Sequence, residues 1–185
     1  MQSAQSSRGF TLIELLTTLA VLALLLALAM PSFDDFRRSQ TMASRISALH
    51  QDLTFARSEA VKLGGDVYVS AKSNDFAKGW IVYENRNAST TYQAAQDRLL
   101  REQDAITQGF TMKAANGAGS AKELFGFDRR GALSEGAGMN LAACAKGWTA
   151  AKDKQYARNV RILPSGRAES GKGKGPGAGI TCTGT

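Results

Sequence analysis

One histidine and two cysteines are all that 185 residues offer of the side chains on which metal centres and nucleophilic catalysis most often depend. His50 has no serine, cysteine or acid motif paired with it, so it reads as structural or solvated rather than as a base. Cys144 and Cys182 lack metal-ligand spacing, which argues against zinc; in an exported chain two cysteines suggest one disulfide between them. No nucleophile elbow and no carboxylate pair at catalytic spacing occur. Residues 166–173, GRAESGKG, approximate a phosphate-binding loop, but Gly173 stands where a hydroxyl should hold magnesium, and the GKGKGPGAG that starts at Gly171 resists helix. No enzyme and no cofactor is therefore expected.

Long hydrophobic runs are absent too, with one exception. Residues 10–30 are apolar apart from Thr11, Glu14, Thr17 and Thr18. As a helix this run would span about 30 Å, the thickness of a bilayer core. It could be a secretory signal, with Arg8 closing a short basic region and Ala27-Leu28-Ala29 as a small-x-small cleavage site. It could equally be a plain membrane anchor, or a leader followed by an anchor. Glu14 separates these readings. A carboxylate inside an apolar helix costs on the order of 2.5–3.5 kcal/mol at mid-membrane and less near an edge. Neither a signal nor an anchor needs it. A cut between Gly9 and Phe10 would create a positive amino group one turn away, and in a bundle each Glu14 could neutralise the N-terminus of a neighbour.

The run Arg8-Gly9-Phe10-Thr11-Leu12-Ile13-Glu14-Leu15-Leu16, followed by the apolar stretch and Pro31, resembles the N-terminus of type IV pilins and type II secretion pseudopilins. The resemblance implies cleavage after Gly9 by a prepilin peptidase, methylation of Phe10, and a filament-register role for Glu14. It also implies an inner-membrane anchor and assembly with other pilins.

Past Pro31, which would kink the helix or break it in two, the apolar residues Ile46, Leu49, Leu53, Ala56, Ala60 and Leu63 keep a helical period. Arg45, Gln51, Asp52, Arg57, Ser58 and Lys62 are expected on the other faces, and Gly64-Gly65 to end the helix. The stripe is too short to favour a coiled coil, so it should pack on a sheet of the same chain. Strand patterns follow over 67–70, 79–84, 98–106, 109–113, 123–127, 139–145 and 159–163, with turns at 128–131 and 164–166. The expected fold is α+β, a type IV pilin-like fold with a long N-terminal hydrophobic helix, then an amphipathic helix packed on an antiparallel β-sheet. Its expected divisions are a leader over 1–9, a transmembrane or filament-core helix over 10–31, an amphipathic helix over 32–64, a globular sheet domain over 65–170 and a Gly-rich basic tail over 171–185.

Within the globular part, Phe55-Ala56-Arg57-Ser58-Glu59-Ala60-Val61-Lys62, then Gly79-Trp80-Ile81-Val82-Tyr83, residues 127–131 and Ser165-Gly166-Arg167 resemble the FimT/GspH group, minor pilins and minor pseudopilins. Ala56, Ala60 and Trp80 also read simply as packing residues, and Arg57 and Glu59 as solvated helix charges. Some FimT proteins bind DNA through a C-terminal Gly-Arg-x-Arg. Here Gly166-Arg167-Ala168-Glu169 keeps the first arginine and replaces the second with an acid.

Net charge is +7, and residues 152–185 hold seven cations against two anions. That excess suggests an anionic partner such as nucleic acid or lipid headgroups, with a solvated basic tail as the plain alternative. Arg158, Arg161, Arg167, Lys172 and Lys174 are the candidate contacts to double-stranded DNA, without sequence preference, during natural transformation. Arg158 and Arg161, three apart in a strand, should point to opposite faces. The reading overall is a minor type IV pilin acting in pilus biogenesis, with an H-type pseudopilin of type II secretion as the alternative.

Overall fold

The computed structural model describes residues 9–87, 89–106, 109–145 and 157–173, and of residues 28–32 and 35 the backbone alone. The chain divides into two units, residues 1–37 and 38–185.

Helix α1 runs over Leu12–Leu63 without the break expected at Pro31. The missing proline N–H removes one hydrogen bond from a long ladder, a loss that a long helix tolerates. In the second unit α1 buries Met42, Ile46, Leu49, Leu53, Ala56 and Ala60, so the expected stripe begins a turn earlier than the pattern showed. Leu63, counted in that stripe, is exposed. It is the last helical residue before Gly64, which turns the chain out of the helix at φ +64°.

The strands form two antiparallel sheets, not one. β1 (Val67–Ala71), β2 (Trp80–Glu84), β3 (Arg98–Gln103) and β6 (Leu124–Phe127) make the first, in the order β3-β2-β1-β6. β4 (Phe110–Asn116), β5 (Ala121–Lys122), β7 (Met139–Ala145), β8 (Ala157–Ile162) and β9 (Ala168–Lys172) make the second, in the order β5-β4-β7-β8-β9. Residues 121–127 pass from one sheet to the other, because β5 pairs with β4 while β6 pairs with β1. Strand β9 is a correction: the Gly-rich tail was expected to begin at 171, yet Gly171 and Lys172 pair with Asn159 and Arg158 of β8. Ala168-Glu169-Ser170-Gly171-Lys172 has low strand propensity, and main-chain pairing to an existing edge outweighs it.

One core joins the helix to both sheets. Val67, Val69, Trp80, Val82, Phe125 and Phe127 come from the first sheet; Met112, Leu141, Ala143, Val160 and Ile162 come from the second. On the other side of the first sheet Tyr83 is buried between Tyr68 and Tyr92, with ring centroids 5.8 and 5.1 Å away. Burial pushes both the Tyr68 and Tyr83 phenols up, and the Asp97 charge adds to the effect at Tyr83.

Three carboxylates inside the unit were not expected there. Asp52, assigned to a polar helix face, is 2% exposed. It accepts from Trp80 Nε1 and from Arg101 Nη1, each at 2.9 Å, and Arg101 in turn lies 3.7 Å above the Phe55 ring. Asp75 accepts from the N–H groups of Ala77 and Met112, tying the β1–β2 connection to β4. Asp97 accepts from the N–H groups of Arg86 and Gln93 and closes the loop before β3. Asp52→Ala should destabilise the unit by about 3–5 kcal/mol, because it strands the Trp80 and Arg101 donors. Urea denaturation of a fragment lacking residues 1–37 measures this, and a loss below about 1 kcal/mol would show the ion pair to be dispensable.

Candidate functional site

Two places gather the residues that the sequence singled out. The first is the start of α1. Thr11 precedes the helix, its carbonyl accepts from Leu15 N at 3.2 Å, and its hydroxyl accepts from Glu14 N at 3.3 Å. Thr11 is thus the N-cap and Glu14 the third helical residue, the Thr-x-x-Glu spacing of a capping box. That cap was legible as a pattern, but the sequence reading used Glu14 only for its charge. A carboxylate in the first turn also suits the positive end of the helix dipole. Thr17 and Thr18 donate to the carbonyls of Glu14 and Leu15. The helix therefore satisfies its own hydroxyls and presents apolar surface elsewhere.

That surface is unburied on every side within the first unit. Phe10 is 78% exposed, and Leu12, Ile13, Leu15, Leu16, Leu19, Leu22 and Leu25 are all more than half exposed. A helix apolar all round requires either a lipid environment or other helices. Among the described residues no helix is long and apolar enough to cross a membrane. The apolar run whose side chains are described ends at Ala27, short of the 10–30 run in the sequence.

The second place lies where three singled-out segments meet. Arg57 on α1 donates from Nε to the carbonyl of Gly131 at 2.9 Å. Gly131 closes the 128–131 turn at φ +75°, with its N–H on the Asp128 carbonyl at 2.7 Å. Gly166, at φ +79°, packs so closely that a Cβ there would overlap the Gly131 oxygen. Arg57 is thus a structural donor rather than a solvated charge, and both glycines are required by backbone shape and space. At the same turn, burial works against the charged form of Asp128. The N–H groups of Ala132 and Arg130 and the Arg130 guanidinium outweigh it, holding that carboxyl below the usual range. A concavity of about 540 Å³ beside this turn is lined by Gly64, Gly65, Asp66, Asp128, Arg129 and Arg130. Among the described residues no group of three or more His, Cys, Asp or Glu could hold a metal ion.

The candidate DNA contacts do not share a face. Arg158 is on the strand face of the core residues Val160 and Ile162 and donates to Ser39 Oγ of α1 at 3.0 Å. Arg161 points to the opposite side and stands opposite Glu169 in register. Arg167 is ion-paired with that same Glu169. Lys172, expected in a mobile tail, is exposed on β9 opposite Arg158. Lys174 and Cys182 lie outside the described residues. Cys144 is in disulfide form. His50 Nε2 lies 3.1 Å from the Ala168 carbonyl, which ties α1 to β9.

The family model for the type II transport protein GspH matches residues 45–166, about two thirds of the chain, from α1 to the turn before β9. The chain belongs to the GspH family. A second model, the prokaryotic N-terminal methylation motif, matches residues 5–30. The crystal structure of the type IV minor pilin FimU of Pseudomonas aeruginosa is similar to this GspH-family chain at TM-score 0.58 and 27% identity, over 72% of this chain and 90% of that one. The minor pseudopilin EpsH of the type II secretion system of Vibrio cholerae shares the fold, at TM-score 0.51 and 14% identity, over 71% and 96%. The pilin-like protein PilA1 of Thermus thermophilus is 32% identical over 90 residues, which span 49% of this chain and 56% of that protein.

Gly166→Ala should destabilise the unit by about 2–4 kcal/mol, since it adds both steric overlap and left-handed strain. Thermal melting tests this. Because Gly136 is open to solvent at a comparable φ of +67°, Gly136→Ala should cost only the strain, about 1 kcal/mol.

Proposed function

We propose that this GspH-family chain is a minor filament subunit, cut between Gly9 and Phe10 by a prepilin peptidase and methylated at Phe10. It is then held in the inner membrane by residues 10–31 until it enters the filament. The observation that carries this reading is the exposed apolar surface on every side of the first unit's described helix, which starts at a Thr11 cap with the Glu14 carboxylate in its first turn. In water that surface is unfavourable by roughly 25 cal/mol per Å², and both a bilayer and a bundle of like helices remove the cost. Glu14 then pairs with the methylated amino group of a neighbour and sets axial register. A filament of the type IV pilus is favoured over a secretion pseudopilus, because the likeness to FimU is closer in sequence than that to EpsH. An H-type pseudopilin is the second reading. Cys144 pairs with Cys182, the other cysteine of the chain.

Intact-mass spectrometry of the membrane-extracted chain should give a product starting at methylated Phe10, two hydrogens lighter than the dithiol and unreactive to alkylation. A product starting at Met30 would refute the processing. Glu14→Ala should still be cut, since the peptidase reads Gly9, but should be depleted in sheared filaments. Wild-type incorporation of that variant would remove the register role.

The subunit also contacts duplex DNA weakly and without sequence preference during transformation. The charge excess in residues 152–185 supports this, and the reading takes as contacts Arg161 and Arg167, both beside Glu169, with Lys174 following in the sequence. Glu169 stands beside both arginines and opposes the contact. Glu169→Gln should therefore strengthen duplex binding at low salt, whereas Arg161→Gln and Arg167→Gln weaken it and flatten its salt dependence by about 0.9 in log–log slope per contact. Fluorescence titration at two salt concentrations reads this, and no change in any variant would leave the basic end a solvated one.

A further inference from the structure

The concavity of about 540 Å³ beside the 128–131 turn holds two opposite charges that the chain itself leaves unused. Of its lining residues, Asp128 is spent: Oδ1 accepts from the N–H groups of Arg130 and Ala132, and Oδ2 from the Arg130 guanidinium. Arg130 is committed to the same ion pair. Asp66 and Arg129 make no ion pair and no side-chain hydrogen bond among the described residues. They come from the ends of two paired strands, since Asp66 precedes Val67 and Arg129 follows two residues after its partner Phe127. The rest of the lining is bare backbone. A Cβ built at Gly64 or Gly65 meets nothing within 4 Å, and Leu63, partly exposed, precedes them.

The chain carries a segment with the complementary set. On α1, Phe33, Asp34 and Arg37 share a helix face, with about 5–6 Å between the Cβ atoms of residues three or four apart. That spacing is close to the separation of neighbouring strands, about 4.8 Å. Phe33 is 60% exposed, and Asp34 and Arg37 are exposed as well. Among the described residues neither of these two charges has an ion pair or a side-chain hydrogen bond. An acid, a base and an aromatic ring thus stand unpartnered on one face, opposite a hollow that offers a base, an acid and open space.

We propose that this concavity receives the Phe33–Arg37 helix face of a second copy of the chain, with Asp34 on Arg129, Arg37 on Asp66 and the Phe33 ring over Gly64-Gly65. The contact rests on the filament reading above, and it names the surface by which one subunit accepts another. Each exposed ion pair alone contributes little. Together they discriminate, because a like charge at either place repels the wrong helix face.

The test co-expresses two differently tagged full-length chains, one with Asp34→Cys and the other with Arg129→Cys. Membranes are treated with a short bismaleimide, to which the disulfide-bonded Cys144 is inert. A cross-link carrying both tags is expected. Asp66→Lys in the second chain should lower its yield about threefold to fivefold, and Arg37→Asp in the first should restore it. Gly65→Leu fills the hollow where nothing in the chain is in the way, so it should lower the yield while leaving the melting temperature unchanged. A yield indifferent to Asp66→Lys and to Gly65→Leu overturns the site. A loss that Arg37→Asp does not restore overturns the second copy as occupant and points to a different subunit. Chains that never enter the membrane refute the filament reading and the contact with it; membrane-resident chains without the mixed cross-link refute the contact alone.

Discussion

A buried carboxylate must be neutralised or hydrogen-bonded on both oxygens, and Asp52 meets that demand with one donor from β2 and one from β3. Its place on α1, three residues after Leu49 and four before Ala56, puts it on the apolar stripe itself. The two bonds therefore fix the rotation of the helix over the first sheet, where apolar packing alone would permit small slips. Arg101 reaches this carboxylate across Phe55, so its charge is covered by an aromatic face on its way in. Asp75 does for the second sheet what Asp52 does for the first, by holding the N–H of Met112 on β4. The two sheets and the helix are thus joined by a few directional contacts set within one apolar core.

The far end of α1 is fastened differently. There a side chain meets two backbone turns: Arg57 Nε holds the Gly131 carbonyl, and Gly166 lies against the same oxygen. A side chain at Gly166 would push the 128–131 and 164–166 turns apart, and one at Gly131 would press on Val61 and Arg57 of α1. Leu133 N also donates to the Pro164 carbonyl, so the two turns are hydrogen-bonded to each other. Segments that read as separate family motifs form a single structural joint, which explains why arginine and glycine stand at those places.

The first unit departs from these rules on purpose. Its residues satisfy every polar group they can within the helix, through the Thr11 cap and the back-bonded Thr17 and Thr18, yet leave their apolar side chains uncovered. Such a helix is complete only in company, whether of lipid or of other helices. Glu14 serves in the isolated chain as a first-turn carboxylate at the positive end of the helix dipole. In the proposed filament the same position lets it meet a neighbour's amino group.

The helix, its apolar stripe, most strand positions and the N-terminal methylation motif were legible in the sequence, because period, apolar run length and a short motif are local. The α+β class followed from one long helix ahead of many short strands. Three features were not local and were misread or unseen. Asp52 looked like a surface charge because nothing in the sequence says that Trp80 and Arg101 will arrive beside it. Strand β9 looked like tail because Gly171 and Lys172 owe their order to the edge of β8, not to their own propensities. Arg158 and Arg161 were expected on opposite faces from their spacing, but the sequence could not show the β8–β9 register, which puts Lys172 on the side of Arg158 and leaves Arg161 and Arg167 with Glu169. What the chain determined by itself is therefore what a short stretch of residues can express through period and run length. What needed the tertiary structure is every property that depends on which distant residue stands opposite, since pairing register is settled only when the sheets close over the helix.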